Sequence, residues 1–533
     1  MKRKNIDAAE VAVIGHALHS VAAEMGVALR RTALSPNIKE RRDYSSAVFS
    51  ADGALIAMGD DMPVHLGSMP MSVAAALHAM QFAPGDLAML NDPYRGGTHL
   101  PDITMVAPVF VGRRKQPAFY VANRAHHADV GGMHPGSMGP CREIAQEGIR
   151  IPPVKLIRAG VLDEQVLAIV LANVRTPRER EGDLRAQMGA CRIGIARMLD
   201  LTQRFGLARL ADGVTALLDG SERWMQKVLR DLPAGMWRAE DFLDDDGVKP
   251  GRIRIRVAVR NDPKRKRVIV DFTGSDPQVA GNINAVYAIT WSAVFYVFRC
   301  LLPAEAIATA GLMRPIEVIA AEGTVVNAVS PAAVAGGNVE TSQRIVDTLL
   351  RALAQGIPER MPAASAGTMN NLTIGGMDTR TSAGLGRPYT YYETIAGGLG
   401  GSPQRDGATG HHAHMTNSLN TPVEALEYAY PFRMTRYAVR QGSGGNGKHR
   451  GGDGLIREIE LLCDAQVTLL ADRRATAPWG LAGGEDAKPG ESTLIRNDAG
   501  ETLPGKCTRE LRAGDRLRIE SPGGGGWGRR SKA

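Results

Sequence analysis

Two apolar runs, ITMVAPVFV (103–111) and AFYVANRAH (118–126), stand on either side of GRRKQP, a stretch with turn chemistry. Runs of this length and β-branched content predict paired antiparallel strands joined by a short loop. The outer ends of that hairpin constrain the chain further. His99 and Asp102 form H-x-x-D before the first run, and His126, His127 and Asp129 form H-H-x-D at the close of the second. Pro101 keeps Leu100 out of the helical region, so the first motif sits on a loop or strand start. Pairing Ile103 with His126 and Val111 with Ala118 predicts a register with Asp102 beside His127 and His99 near Val130. Facing residues have Cβ atoms about 5 Å apart, so both motifs arrive at one end of one hairpin. Two imidazoles with one or two carboxylates suit a divalent ion such as zinc, manganese or iron. The plainer reading is a set of hydrogen-bonded loop residues. Pro108 requires an edge or a bulge and is able to slip this register.

The rest of the chain reads as a mixture of helices and hairpins. Residues 7–32 have apolar spacing of three and four and a capping Asp7, hence an amphipathic helix. SSAVFSADGALIAMG predicts a hairpin turned at Asp52 and Gly53, and DLAMLND a buried strand. Residues 178–230 read as helix broken near Gly206 and Gly213. RIRIRVAV and KRVIVDFTG predict a second hairpin, turned at RNDPKR. TSQRIVDTLLRALAQGI predicts a helix capped at Thr341 or Ser342, with Ile345, Leu349 and Leu353 on one face and Gly356 as its end. The last 90 or so residues are strand-rich. The expected class is α+β, with mixed helices and antiparallel hairpins and a β-rich C-terminal region. Expected regions are 1–235 with the hairpin site, 236–430, and 431–533.

Several function classes are disfavoured. The net charge of +8 is spread thinly over 533 residues, with no basic stripe for nucleic acid. The most apolar stretch, AITWSAVFYVF, stops at Arg299 after 11 residues, too short for a bilayer. Five cysteines lack any C-x-x-C spacing, which predicts reduced thiols and a cytoplasmic home. The basic start, MKRKN, lacks the long apolar core of a signal peptide. GSGGNGKH (442–449) is one residue short of a phosphate-binding loop: His449 stands where a Ser or Thr hydroxyl is needed, and HRGGDG does not open a helix well.

Other candidates have ordinary readings as well. Asp43, amid Lys39, Arg41 and Arg42, reads from sequence as an ion-paired surface carboxylate. His411, His412 and His414 suit a solvated or substrate-contacting loop. Gly336 and Gly337 precede a helix N-terminus, which suits an anion or simple capping.

Taken together, NDPYRGGTHLPDIT, AHHADVGGMHPGSM, GGNVETSQRIVD and HMTNSLNTPVEALE resemble the hydantoinase B/oxoprolinase family. MPVHLGSM, EGIRIPPVKL, DFTGSDPQVAGNIN and SPGGGGWG extend the match, in order, from about residue 20 to 528. The resemblance implies the B-type subunit of an ATP-dependent cyclic amidohydrolase, opening a hydantoin, 5-oxoproline or other lactam ring. It implies a hetero-oligomer in which an A-type partner binds ATP and phosphorylates the substrate. It implies a divalent metal at His99, Asp102 and His126, with Asp43 a further ligand and His126 preferred over His127. Asp129 or Asp43 would orient a ligand or carry a proton, and Arg95 would steady a phosphate or carboxylate. The alternatives are a subunit of an ATP-dependent ketone carboxylase and a non-catalytic scaffold for the A-type subunit.

Overall fold

The computed structural model describes residues 6–59, 61–380 and 386–530; the basic start of the chain, residues 1–5, lies outside them. Among the described residues nine α-helices and four mostly antiparallel sheets make an α+β fold. The sheet that matters for the site has seven strands. In spatial order they are Leu55–Met58, Tyr44–Ser50, Phe119–His126, Asp102–Val109, Leu87–Leu90, Val154–Arg158 and Val161–Leu162, each antiparallel to its neighbour.

The expected hairpin forms the middle of this sheet, but its register is one residue away from the expected one. Asp102 pairs with His126 and Val109 with Phe119, so Asp102 faces His126 directly rather than His127. The strands close at Val109, whose carbonyl accepts from the Ala118 N–H at 2.8 Å, and Phe110 and Val111 join the loop. Every residue of both strands is buried, so no alternation of apolar and polar faces was available to fix the register. Pro108 is accommodated because the neighbouring strand, Leu87–Leu90, pairs only with Thr104 to Val106 and ends before it.

The helix Ala8–Thr32 begins at Asp7, whose carboxylate accepts from the Glu10 N–H at 2.7 Å, and ends with Arg30 and Arg31 in its last turn. By length and composition it is apolar enough to cross a membrane. Here Ile14, Leu18, Val21, Met25 and Leu29 form a stripe buried against the helices Pro177–Phe205 and Leu207–Asp231 and the strand Tyr44–Ser50. The break at Gly206 occurs as expected, with φ 76°. Gly213 breaks nothing; it lies inside a helix, where a Cβ would come 2.5 Å from Ile14 Cδ1. Its glycine therefore serves close helix packing.

The helix Pro177–Phe205 packs over the central hairpin from one side. The helix His65–Ala79 packs on Tyr287–Arg299, which in turn packs on Ser342–Leu353. That last helix has no N-cap side chain at Thr341 or Ser342. A π-helical turn, Gly337–Thr341, runs straight into it. The hairpin Pro250–Asp262 and Arg267–Asp271 forms as expected. Two sheets make up the C-terminal part; one joins Asn371–Asp378 and Arg387–Glu393 to Ala465–Leu470 and Lys506–Leu511. The loop around GSGGNGKH threads against residues 523–528, and a Cβ on Gly451 would sit 1.7 Å from Gly524 O. Backbone crowding accounts for the glycines there, and no helix follows the loop.

Candidate metal centre

The one-residue change of register brings the site together. Asp102 and His126 share a face of the sheet as a direct pair, and His99 reaches them from the loop before the strand. His99 Nε2 lies 2.9 Å from Asp102 Oδ1, and His126 Nδ1 lies 3.2 Å from the same oxygen. One ligand atom from each of the three residues falls within 4.8 Å of the others, and all three residues are buried. Among the described residues this is the one such group of metal-ligating side chains.

The second carboxylate oxygen is also occupied. Thr98 Oγ1 donates to Asp102 Oδ2 at 2.8 Å, and His65 Nε2 meets it at 3.3 Å. His65 is set by a relay: the Met62 N–H donates to Ser45 Oγ at 3.1 Å, and Ser45 Oγ meets His65 Nδ1 at 2.8 Å. Burial alone would raise the Asp102 pKa, yet the His99 charge and the hydrogen bonds from His126, His65 and His99 hold it well below the usual carboxylate range. Burial depresses His126 and His65, so both favour the neutral form, the form in which His126 is able to ligate.

A cation fits this arrangement. His99 Nε2 meets both a carboxylate oxygen and the Asn338 side-chain amide, at 3.1 Å, and a single protonation state of the ring serves only one of them. His126 Nε2 is buried with no hydrogen-bond partner. Ligands on a cation at about 2.0–2.2 Å stand roughly 3 Å apart, close to the 2.9 Å and 3.2 Å that separate His99 Nε2 and His126 Nδ1 from Asp102 Oδ1. The histidine–carboxylate donor set suits zinc, manganese or iron.

The surroundings hold the rings in place. The His126 ring stacks on Tyr392, with centroids 4.3 Å apart and planes inclined by 19°. Arg41 lies 4.9 Å from the centroid of the same Tyr392 ring. The Asn37 side chain donates to the His126 carbonyl at 2.6 Å. His99 Nδ1 lies 3.4 Å from the Ala335 carbonyl, and Glu147 accepts from the Val334 and Ala335 N–H groups at 2.9 and 2.8 Å.

The remaining sequence candidates fall in three places. Asp43 is buried, not a surface carboxylate; its backbone carbonyl accepts from the His126 N–H at 3.0 Å. Burial raises its pKa, and His126 and Arg41 oppose the rise, which places its charge beside the cluster although it is outside the 4.8 Å group. Asp129 is not with the cluster: Arg175 donates to it through Nη1 and the backbone N–H, both at 2.8 Å, and Gly131 and Gly136 also donate to it. Arg95 is exposed, 3.9 Å from Asp92. His127 points the other way, to Gln187 Oε1 at 2.9 Å, and burial together with Arg180 pushes its pKa down to about 4.

His65, Thr98, Asn338 and Tyr392 were missed as site residues. MPVHLGSM offered a signal for His65, a histidine at the start of a helix two residues after a proline. Outer partners of metal ligands are commonly worth about 10–100-fold in affinity. His65→Ala should weaken retention of a divalent cation by that factor without emptying the site, as read by chelator competition on the purified protein.

Glu147 gives a separate pH signature. Burial pushes its carboxyl up to about 8, against the two backbone donors. The folded state therefore prefers the protonated acid. The resulting stability is full below the unfolded pKa of roughly 4.3 and is lost as pH rises toward 8. Glu147→Gln mimics the protonated form, so the melting temperature of the variant relative to wild type should climb between pH 5 and pH 8. A constant difference across that range would contradict the assignment.

The family profile described as Hydantoinase B/oxoprolinase matches residues 7–530. An uncharacterized protein of Methanocaldococcus jannaschii is 40% identical over 98% of this chain and 91% of its own length. 5-oxoprolinase 1 of Arabidopsis thaliana is 36% identical over 98% of this chain, which spans 42% of that longer protein. The crystal structure of the ATP-dependent caprolactamase from Pseudomonas jessenii superposes with a TM-score of 0.88 at 30% identity, covering 99% of this chain and 92% of that one. A profile match over residues 7–530, with relatives similar along the whole chain, places this chain in the hydantoinase B/oxoprolinase family.

Proposed function

We propose that this chain is the B-type subunit of an ATP-dependent cyclic amidohydrolase, opening a lactam or hydantoin ring that an A-type, ATP-binding partner has activated by phosphorylation. The observation that carries this reading is the buried His99–Asp102–His126 cluster, in a chain similar along its whole length to an ATP-dependent caprolactamase. An unactivated lactam carbonyl is a poor electrophile, and phosphorylating its oxygen creates a leaving group. A divalent cation held by His99, Asp102 and His126 would supply Lewis acidity, polarising a carbonyl or phosphoryl oxygen and acidifying water. The protein's own part is to hold His99 through the Ala335 carbonyl at Nδ1, His126 with Tyr392 and Asp102 with His65 and Thr98, and to keep bulk solvent out. Asp43, buried beside the cluster with a raised pKa, is suited to serve as a further ligand or proton carrier.

The test is reconstitution with the A-type subunit and assay against 5-oxoproline, hydantoin and caprolactam, with and without bicarbonate. Bicarbonate-independent ring opening supports hydrolysis, and product formed only with bicarbonate supports a carboxylase instead. The chain alone should hydrolyse no ATP. ATP turnover by the isolated chain that disappears in Lys448→Ala would contradict the division of labour.

A further inference from the structure

Asn338 is set against His99 by a stiff piece of backbone. It lies in the π-helical turn Gly337–Thr341, a rare kind of turn that is frequent at functional sites. The Gly336 N–H donates to the Asn282 carbonyl at 2.8 Å, and a Cβ on Gly337 would come 1.9 Å from the Asn284 carbonyl oxygen. Ser342 Oγ donates to the Asn338 carbonyl at 2.8 Å. Asn338 is 4% exposed, so its side chain answers to the protein interior and not to solvent.

The same segment meets both nitrogens of the His99 ring. The Ala335 carbonyl lies 3.4 Å from Nδ1, and the Asn338 side-chain nitrogen lies 3.1 Å from Nε2. A proton on Nδ1 serves the carbonyl and leaves a lone pair on Nε2. That lone pair faces Asp102 Oδ1, itself an acceptor, at 2.9 Å. Two acceptors stand this close when a positive charge lies between them, and the ring's one proton is already used at Nδ1. With a cation in that place, the Asn338 N–H would point at a like charge. The other end of the amide gives it no reason to stay so turned: Asn338 Oδ1 is buried and has no hydrogen-bond partner. An asparagine amide keeps its outline when oxygen and nitrogen exchange places. Turned over, it puts Oδ1 about 3.1 Å from His99 Nε2, close to the separation of two ligands on one cation.

We propose that Asn338 Oδ1 is a ligand of the divalent cation, beside His99 Nε2, Asp102 and His126. The inference rests on the metal centre of the proposed function and adds a neutral oxygen to its donor set. Carboxylate and carbonyl oxygens suit manganese, which is therefore the probe.

The experiment compares the purified wild-type chain with Asn338→Leu and Asn338→Asp, each loaded with manganese(II), by competition with a chelator. Leucine fills the space and offers no ligand. Aspartate keeps an oxygen and loses the N–H donor, so it separates a ligand from a group that merely hydrogen-bonds the ring. Asn338→Leu should weaken manganese retention by about 100-fold, the top of the range for outer partners, and Asn338→Asp should hold manganese at least as tightly as wild type. A crystal structure of the manganese-loaded wild type should place the ion about 2.2 Å from the Asn338 side-chain oxygen. Circular dichroism checks the fold of both variants, and the wild-type crystal decides alone should they misfold. Unchanged retention in Asn338→Leu overturns the proposal. So does an Asn338→Asp variant as weak as Asn338→Leu, because the amide then acts as a donor. An ion more than about 3 Å from the Asn338 oxygen overturns it as well. Each of these results leaves the metal centre and the proposed function standing. A wild-type chain that takes up neither manganese nor zinc defeats the metal centre and this ligand together.

Discussion

Asp102→Ala is expected to strip the purified chain of its divalent cation and to lower ring opening in the complex by more than about 100-fold, beyond the 10–100-fold typical of outer-shell partners. Asp102 is the only carboxylate of the cluster, and its two oxygens meet His99, His126, His65 and Thr98. Without it, three imidazoles and a hydroxyl face one another with no anion between them. The strand itself should survive, because Asp102–Val109 is paired on both sides by backbone hydrogen bonds. Elemental analysis and circular dichroism on the same sample separate loss of metal from loss of fold. Asp102→Asn keeps the shape but offers a poor ligand, and should behave as the alanine variant does in metal content.

Asp472→Ala should instead attack the fold, lowering unfolding stability by roughly 3–5 kcal/mol, the usual cost of breaking a buried ion pair from one side. Asp472 is fully buried and accepts from Arg344 at 3.0 Å and Lys506 at 2.9 Å, and from the Asp244 N–H at 3.2 Å. Burial alone would raise its pKa, but Lys506 and Arg344 hold it far below the carboxylate range. The network continues through Arg473 to Asp241 and Asp347, both at 2.9 Å, and so ties the helix Ser342–Leu353 to the strand Gly235–Asp245 and to the C-terminal sheet. Removing the one acid leaves Arg344 and Lys506 charged and short of a partner. Denaturant melts should show the drop, and a change below about 1 kcal/mol, the scale of an exposed pair, would contradict the assignment.

The hairpin and the gathering of H-x-x-D and H-H-x-D at one end of it were legible in the sequence, because strand length and turn residues are local signals. The register was not, since two-sided burial removes the alternation that would fix it. The resemblance to the family distinguished His126 from His127; spacing alone left both open. Asp43 looked superficial because KERRD is rich in charge. In the fold Arg41 and Asp43 turn inward while Arg42, at φ 58°, stays exposed. His65, Asn338 and Tyr392 reach the site from segments 37 to more than 200 residues away from their partners, a distance across which no local pattern carries information. Gly213 was misread as a break because a glycine that allows helix contact and one that ends a helix look alike in sequence.

On the proposed function, the cluster acts after activation by the partner. The most direct test measures ADP and ring-opened acid in one reaction, for wild type and for His126→Ala in the reconstituted complex, using whichever lactam the wild type opens. The variant should still bind ATP and release ADP, at a reduced or uncoupled rate, and yield little ring-opened acid. Full product yield from a metal-free variant would contradict it, showing that ring opening does not depend on the cluster.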